Sequence, residues 1–210
     1  MGLLKGSVSL TRYRVTDDPP ELTDEFISDR LKRNAFLDIE STTEEESIGW
    51  VETLDPWAVE FNPINFNFGR VIAMGMRRDH RKISAKVVNR YAALAQTQAE
   101  RLHEQPLTVQ QRRVIKAKVR QDLLARTPVN TDVFDVCWLV DNAEVWLVGT
   151  GTKVREYFED LWRRTFGLSL MMKIPFVLSQ EFLPKGVKPE ILDKLQAADL
   201  NSGGLDHEHN

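Results

Sequence analysis

Apolar positions follow two different periods along this chain, and the change of period separates strands from helices. Residues 7–15 alternate between apolar and polar side chains, which predicts a first β-strand, and residues 21–35 repeat their apolar side chains at helical spacing. An apolar run at 71–76 predicts another strand, which we expect the charged residues 77–82 to end. Residues 40–48 are rich in glutamate and predict a solvated loop.

The centre of the chain predicts two long helices joined by a short turn. Ser84 is placed to cap the first helix, and Pro106 ends it. Thr108 and Gln111 then have the spacing of a capping box, in which each side chain bonds the other residue's backbone N–H. Because both helices are long and the turn is short, we expect them to form an antiparallel hairpin.

The remainder of the chain returns to strands and ends in a polar tail. Gly167 has the position of a C′ residue that ends a helix. The predicted elements are strands at 133–140, 144–149 and 168–178 and helices at 152–166 and 188–200.

The order of these elements predicts an α+β fold. We expect a mainly antiparallel sheet backed by helices, with the basic helical hairpin inserted between two strands. Residues 1–82 and 127–200 are assigned to the α+β body, residues 83–126 to the inserted hairpin and residues 201–210 to a flexible tail.

Basic residues are concentrated around the hairpin although the whole chain is slightly acidic. Residues 70–126 hold fourteen Lys or Arg and four Asp or Glu, whereas the formal charge of the chain is −3. The flanking segments are acidic, at −8 for residues 1–69 and −5 for residues 127–210. Charge segregated in this way makes a directed electric field, and a phosphate polymer is the commonest partner of such a patch.

Within the hairpin the basic residues recur at helical spacing, so each helix presents a basic stripe. A solvated face and a surface for an acidic protein are the alternatives to phosphate binding. The sequence has no helix-turn-helix, zinc-finger or RNP-type motif, so we expect contact to the backbone without sequence preference. The candidate DNA contacts are Lys86, Arg90, Arg112, Arg113, Lys116 and Arg120, with Arg77, Arg78, Arg81 and Lys82 at the base of the hairpin.

No arrangement of residues in the sequence predicts catalysis, a metal site or a cofactor. The segment 149–153 is glycine-rich but lacks Walker A spacing, and we interpret it as a strand-to-helix turn. Asp135, Asp141 and Glu144 lie near predicted strand ends without a recognisable magnesium-site spacing, and the single cysteine, Cys137, lies in an apolar run typical of a core thiol. We therefore expect a protein that is not an enzyme.

Neither a secretory signal nor a membrane span is predicted. The N-terminal residues lack a long apolar region, and no run approaches the ~20 apolar residues that cross a bilayer. The expectation is a cytoplasmic protein.

Trp57 flanks a proline-containing turn, and its exposure as part of an interface is an alternative to core packing.

With the hairpin and its flanking strands in place, the chain resembles the RdgC-type recombination-associated proteins over residues 7–178. The order and spacing of several short motifs carry the resemblance. These are Tyr13-Arg14 in an early strand, Gly49-Trp50-Val51 after the first helix, the charged strand end at 70–82, the basic helical pair, Leu123-Leu124 with Arg126, a Trp-containing strand ending in Asp141, Thr152-Lys153 opening a helix that ends at Gly167, and an apolar strand closing at Pro175.

The resemblance implies a bacterial, nucleoid-associated protein that binds duplex DNA without sequence specificity. In that family two subunits close into a ring with a basic channel, and DNA occupancy restrains recombinase loading, so a homodimer and a recombinase partner are implied. The family is sometimes labelled an exonuclease. This chain ends soon after the match, so we interpret it as a short form lacking the C-terminal third, and it has Thr127-Pro128 where the family typically has an aromatic residue.

The sequence thus predicts a non-catalytic protein that binds double-stranded DNA and modulates recombination. Six phosphate contacts would give a log–log salt slope of about −5. Two alternatives remain open: an interaction module that docks an acidic partner through the basic hairpin, and a divergent magnesium-dependent exonuclease.

Overall fold

This computed structural model describes residues 7–181 and residue 183, which contain six strands and six α-helices. The strands are β1 (Thr11–Val15), β2 (Glu46–Val51), β3 (Val71–His80), β4 (Asn130–Leu139), β5 (Glu144–Leu147) and β6 (Leu170–Met172). The helices are α1 (Asp24–Arg33), α2 (Pro63–Phe66), α3 (Ala85–His103), α4 (Val109–Arg126), α5 (Thr152–Phe166) and α6 (Pro175–Glu181).

The strands form one six-stranded sheet in the order β2-β3-β4-β5-β1-β6. The pairs β2–β3, β3–β4, β4–β5 and β1–β5 are all antiparallel. The α3–α4 hairpin lies in the chain between β3 and β4, two strands that are neighbours in the sheet. The prediction of an α+β fold with a mainly antiparallel sheet is confirmed.

Aromatic side chains from α5 and the sheet form the centre of the core. Trp162 and Phe166, four residues apart on α5, have ring centroids 4.6 Å apart, and Trp138 of β4 lies 4.9 Å from Trp162. Trp50 of β2 is fully buried, and its indole nitrogen donates a 2.7 Å hydrogen bond to the Thr165 hydroxyl. Because these large side chains bury most of their area here, α5 and the sheet hold the body together.

Several predicted boundaries are wrong, including the end of the loop predicted at 40–48, because β2 begins at Glu46. The strand predicted at 71–76 continues as β3 through His80, because residues 77–80 pair with both β2 and β4. The strand predicted at 168–178 is limited to Leu170–Met172, and α6 begins at Pro175, which suits the first turn of a helix.

The chain divides into two compact units, Met1–Met171 and Met172–Asn210. Within the second unit, the described part is mainly α6. The helix predicted at 188–200 and the tail predicted at 201–210 lie outside the described residues.

Gly49 lies where the segment after α1 passes closely over β2. A Cβ atom at this position would be 2.5 Å from both the backbone N and Cα of Phe36. The approach is fixed by two backbone hydrogen bonds of 2.9 Å, from Phe36 N–H to Trp50 O and from Trp50 N–H to Asn34 O. Only glycine fits without moving one of these segments.

We expect Gly49→Ala to destabilise the fold by ~1–3 kcal/mol, because the added methyl group overpacks a backbone contact. For a chain of this length that corresponds to a fall in Tm of roughly 2–12 °C, measurable by thermal circular dichroism. Gly151→Ala is the control, since its nearest neighbour would be a Val154 methyl at an ordinary 3.6 Å. Equal losses in the two variants would contradict the steric explanation.

Candidate nucleic-acid interface

Local capping interactions define both helices of the hairpin. The Ser84 hydroxyl accepts a 3.3 Å hydrogen bond from Lys86 N–H at the start of α3. At the start of α4, Gln111 N–H donates to the Thr108 hydroxyl at 3.3 Å, and Thr108 N–H donates to Gln111 Oε1 at 2.8 Å. The predicted N-cap, capping box and helical hairpin are therefore confirmed.

Most of the hairpin surface is open to solvent. Only Val88 and Ala92 of α3 and Leu124 of α4 are buried. Gln96 on α3 donates to the Arg112 carbonyl on α4 at 3.2 Å, which joins the two helices side by side. The polar and basic residues of both helices are thus accessible over most of their length.

Four of the predicted contact residues are exposed cations without an ion pair in the described part of the chain. They are Lys86, Arg90, Arg113 and Lys116, here called the unpaired hairpin cations. Lys86 and Arg90 are four apart on α3, and Arg113 and Lys116 are three apart on α4, so each pair lies on one helical face. Lys82, just after β3, is also exposed.

Arg112 and Arg120 are exposed but paired with carboxylates. Arg112 Nη2 lies 3.1 Å from Glu100 on the neighbouring helix, and Arg120 Nε lies 3.0 Å from Glu45 of the body. The two arginine side chains keep 52% and 55% of their surface exposed. Ion pairs this exposed contribute ~0–1 kcal/mol, so a phosphate oxygen can replace the carboxylate at little cost.

Arg77 and Arg81 are buried, unlike the other candidates. Arg77 bonds both carboxylate oxygens of Asp79, at 2.9 and 2.6 Å, and its guanidinium lies between the rings of Phe36 and Trp57. Arg81 donates to the carbonyls of residues 39, 40 and 42. Since both residues are buried and their guanidiniums are engaged, neither belongs to the proposed surface.

Arg78 is also largely enclosed. Its side chain is 19% exposed and is 2.7 Å from Glu46 and 3.5 Å from Asp132. The guanidinium also lies 4.8 Å from the centre of the Tyr157 ring. Of the four residues predicted at the base of the hairpin, Lys82 is therefore the one that is open to a ligand.

A cleft that the sequence did not predict lies beside the end of α4. Its volume is about 480 Å³, and we call it the Trp57 cleft. Its residues come from four separate stretches of sequence, so no local pattern could have indicated it. It is lined by Asp38, Glu40, Trp57, Arg77, Asp79, Arg81, Ala125, Arg126, Thr127, Pro128, Val129 and Thr131.

The carboxylates considered for a magnesium site do not assemble into one. Glu144 is buried and accepts hydrogen bonds from Trp146 Nε1, at 2.9 Å, and from Arg12, while Asp141 pairs with Arg70. In the described residues no group of three or more His, Cys, Asp or Glu side chains could hold a metal ion.

Cys137 has the chemistry of an unreactive thiol. Burial, and to a lesser extent the negative charge of Asp135, raise the pKa of Cys137 to about 11. At neutral pH the thiol is therefore protonated and a weak nucleophile.

Comparison with known protein families identifies a match over most of the chain. A family model described as "Putative exonuclease, RdgC" matches residues 8–180. No curated protein matches the chain. None of the described helices combines the length and apolar character needed to cross a membrane.

Proposed function

The chain belongs to the RdgC family, and from that premise we propose that it binds double-stranded DNA through the phosphate backbone, without reading base sequence, and modulates recombination. The observation that carries this proposal is the set of unpaired hairpin cations on a largely exposed pair of helices. Four cations without local counterions are suited to a ligand whose charge is regularly spaced, and duplex DNA carries one negative charge per ~1.7 Å of helix axis.

The proposed surface comprises Lys82, the unpaired hairpin cations, and Arg112 and Arg120 after they leave their carboxylates. Phosphate contacts made by flexible Lys and Arg side chains position a protein on DNA but carry no sequence information. We therefore propose a nonspecific, nucleoid-associated protein in the cytoplasm, with a recombinase as a functional partner.

We also propose that the protein does not catalyse hydrolysis, although the description of its family model includes the word exonuclease. Support comes from two of the carboxylates near the strand ends, since Asp141 pairs with an arginine and Glu144 is buried. Metal-dependent nucleases hold their ions with clustered carboxylates. Asp141, the residue at which a divergent exonuclease could be tested, pairs with Arg70.

A homodimer is the second part of the proposal. An apolar groove of about 410 Å³ lies between α3 and α4, and Tyr91 and Leu94 on its wall are 49% and 59% exposed. Apolar surface of this kind is typical of a protein interface. Sedimentation velocity at micromolar concentration tests the homodimer proposal, and a monomer at all concentrations would contradict that proposal.

The DNA-binding proposal is tested by fluorescence anisotropy with a labelled 30-base-pair duplex over a series of salt concentrations. We expect a log–log slope of about −4 if the unpaired hairpin cations alone displace counterions, and about −6 if Lys82, Arg112 and Arg120 also contact phosphate. A slope near zero would exclude this mechanism.

The same duplex incubated with Mg²⁺ is expected to stay intact, and Mg²⁺-dependent shortening that Asp141→Asn abolishes would favour the exonuclease.

A further inference from the structure

Trp57 is a large aromatic residue held rigidly at the surface. The residue is 69% exposed, although its ring lies on the Arg77 guanidinium, whose central carbon is 4.2 Å from the ring centre. The same guanidinium carbon lies 4.2 Å from the centre of the Phe36 ring. Asp79 fixes Arg77 by two hydrogen bonds, so the exposed Trp57 ring packs against a guanidinium that is itself held in place.

The backbone of Trp57 is also fixed. Trp57 N–H donates to Asp55 Oδ1 at 3.0 Å, and Ala58 N–H donates to Asp55 O at 3.0 Å, which closes a tight turn. A ring that is held on one face and open on the other is preorganised to stack a flat ligand, because little side-chain entropy remains to be lost on binding.

The lining of the Trp57 cleft suits a neutral, polar, flat group. Its three carboxylates and three guanidiniums sum to zero formal charge. Arg77 and Asp79 bond each other and Arg81 bonds backbone carbonyls, which leaves Glu40, Arg126 and the second carboxylate oxygen of Asp38 for a ligand, since Asp38 Oδ1 accepts a 2.7 Å hydrogen bond from Glu40 N–H. Carboxylates accept hydrogen bonds from the amino groups of bases, as Asp and Glu do from cytosine N4.

The cleft lies at the end of α4, the helix that also carries part of the proposed DNA surface. Arg126, which lines it, is the last residue of α4, ten residues after Lys116. Ten helical residues span about 15 Å, or four to five base-pair steps of duplex. DNA held by the unpaired hairpin cations could therefore place one of its bases at the cleft.

We propose that the Trp57 cleft binds an unpaired nucleobase of DNA held by the hairpin, stacked on the open face of Trp57. This inference rests on the proposed function and adds a ligand preference to it: DNA with an unpaired base is bound more tightly than fully paired duplex. Asp38 and Glu40 accept hydrogen bonds from the amino groups of the base, and Arg126 contacts the adjacent phosphate.

The test compares a fully paired duplex with the same duplex carrying one unpaired 2-aminopurine. Wild type is expected to prefer the second DNA by about 5- to 150-fold, the equivalent of ~1–3 kcal/mol of base–aromatic stacking, and to quench the 2-aminopurine fluorescence. Trp57→Ala is expected to remove both the preference and the quenching while changing affinity for paired duplex less than twofold. Trp57→Phe, which keeps a smaller ring, is expected to restore part of each.

Two further variants separate the possible causes of a change. Leu54→Ala removes another side chain of the same loop that is 69% exposed but does not line the cleft, and it is expected to behave as wild type. Arg113→Glu/Lys116→Glu is expected to weaken binding of both DNAs while keeping their ratio.

Failure of this inference is distinguishable from failure of the proposed function. If wild type binds neither DNA, both fail. If it binds paired duplex with the expected salt slope but shows no preference, or if Trp57→Ala keeps the preference, only this inference fails. The exposed Trp57 ring would then be interpreted as a contact for a protein partner.

Discussion

Arg113→Glu/Lys116→Glu is expected to lower affinity for duplex DNA by at least about 100-fold at 0.1 M salt. With a slope of about −0.9 per phosphate contact, each counterion-releasing contact contributes roughly tenfold at this salt concentration. The two substitutions remove two such contacts and place two negative charges beside the DNA. The log–log salt slope should also become shallower by about 2.

The control for this variant is Arg163→Glu/Arg164→Glu, which makes the same change of net charge on two exposed residues of α5. If binding depends on a hairpin surface, the control should lose much less affinity and keep the wild-type slope. Equal losses in the two variants would mean that only the overall charge of the protein matters. The hairpin variant should melt as wild type because both of its side chains are exposed, and the control should lose only a little stability with the exposed Arg164–Asp160 ion pair.

The hairpin could be predicted because its determinants are local. Ser84, Thr108 and Gln111 are capping residues whose partners lie within three positions in the chain, and the basic stripes follow from helical periodicity alone. For the same reason the sequence indicated which hairpin residues share a helical face. It could not indicate that Glu45 pairs with Arg120, because that contact joins residues 75 positions apart.

The base of the hairpin could not be predicted, because its charges are satisfied by distant parts of the chain. Residues 77–82 have the composition of an exposed basic turn, yet Arg77 and Asp79 continue β3 and share one face of the strand. Their spacing of two residues was the available signal, since side chains two apart in a strand point the same way. Nothing local indicated that Phe36 and Trp57 enclose Arg77.

Burial changes what a basic residue can contribute. Arg81 makes three hydrogen bonds of 2.6–2.9 Å to carbonyls of the turn at residues 39–42, and only its next neighbour, Lys82, reaches solvent. The guanidinium thus organises a loop of the body, and with it Asp38 and Glu40 of the Trp57 cleft. Adjacent basic residues in the sequence are therefore assigned different roles, one structural and one in DNA contact.

Arg81→Met is expected to destabilise the protein by ~3–5 kcal/mol, because the carbonyls of Ile39, Glu40 and Thr42 lose three hydrogen bonds from a charged donor. The corresponding fall in Tm is roughly 6–20 °C. Measured well below that Tm, the folded variant should bind paired duplex within about twofold of wild type, since Arg81 is 5% exposed and cannot reach a phosphate.

Lys82→Met, the adjacent substitution, is expected to show the opposite pattern. Its Tm should stay within about 2 °C of wild type, because exposed side chains contribute little to stability. Its affinity for duplex should fall up to about tenfold at 0.1 M salt, because one counterion-releasing contact is lost. A reversed outcome, in which Arg81→Met is stable but binds poorly and Lys82→Met binds normally, would return Arg81 to the DNA surface and contradict its structural role.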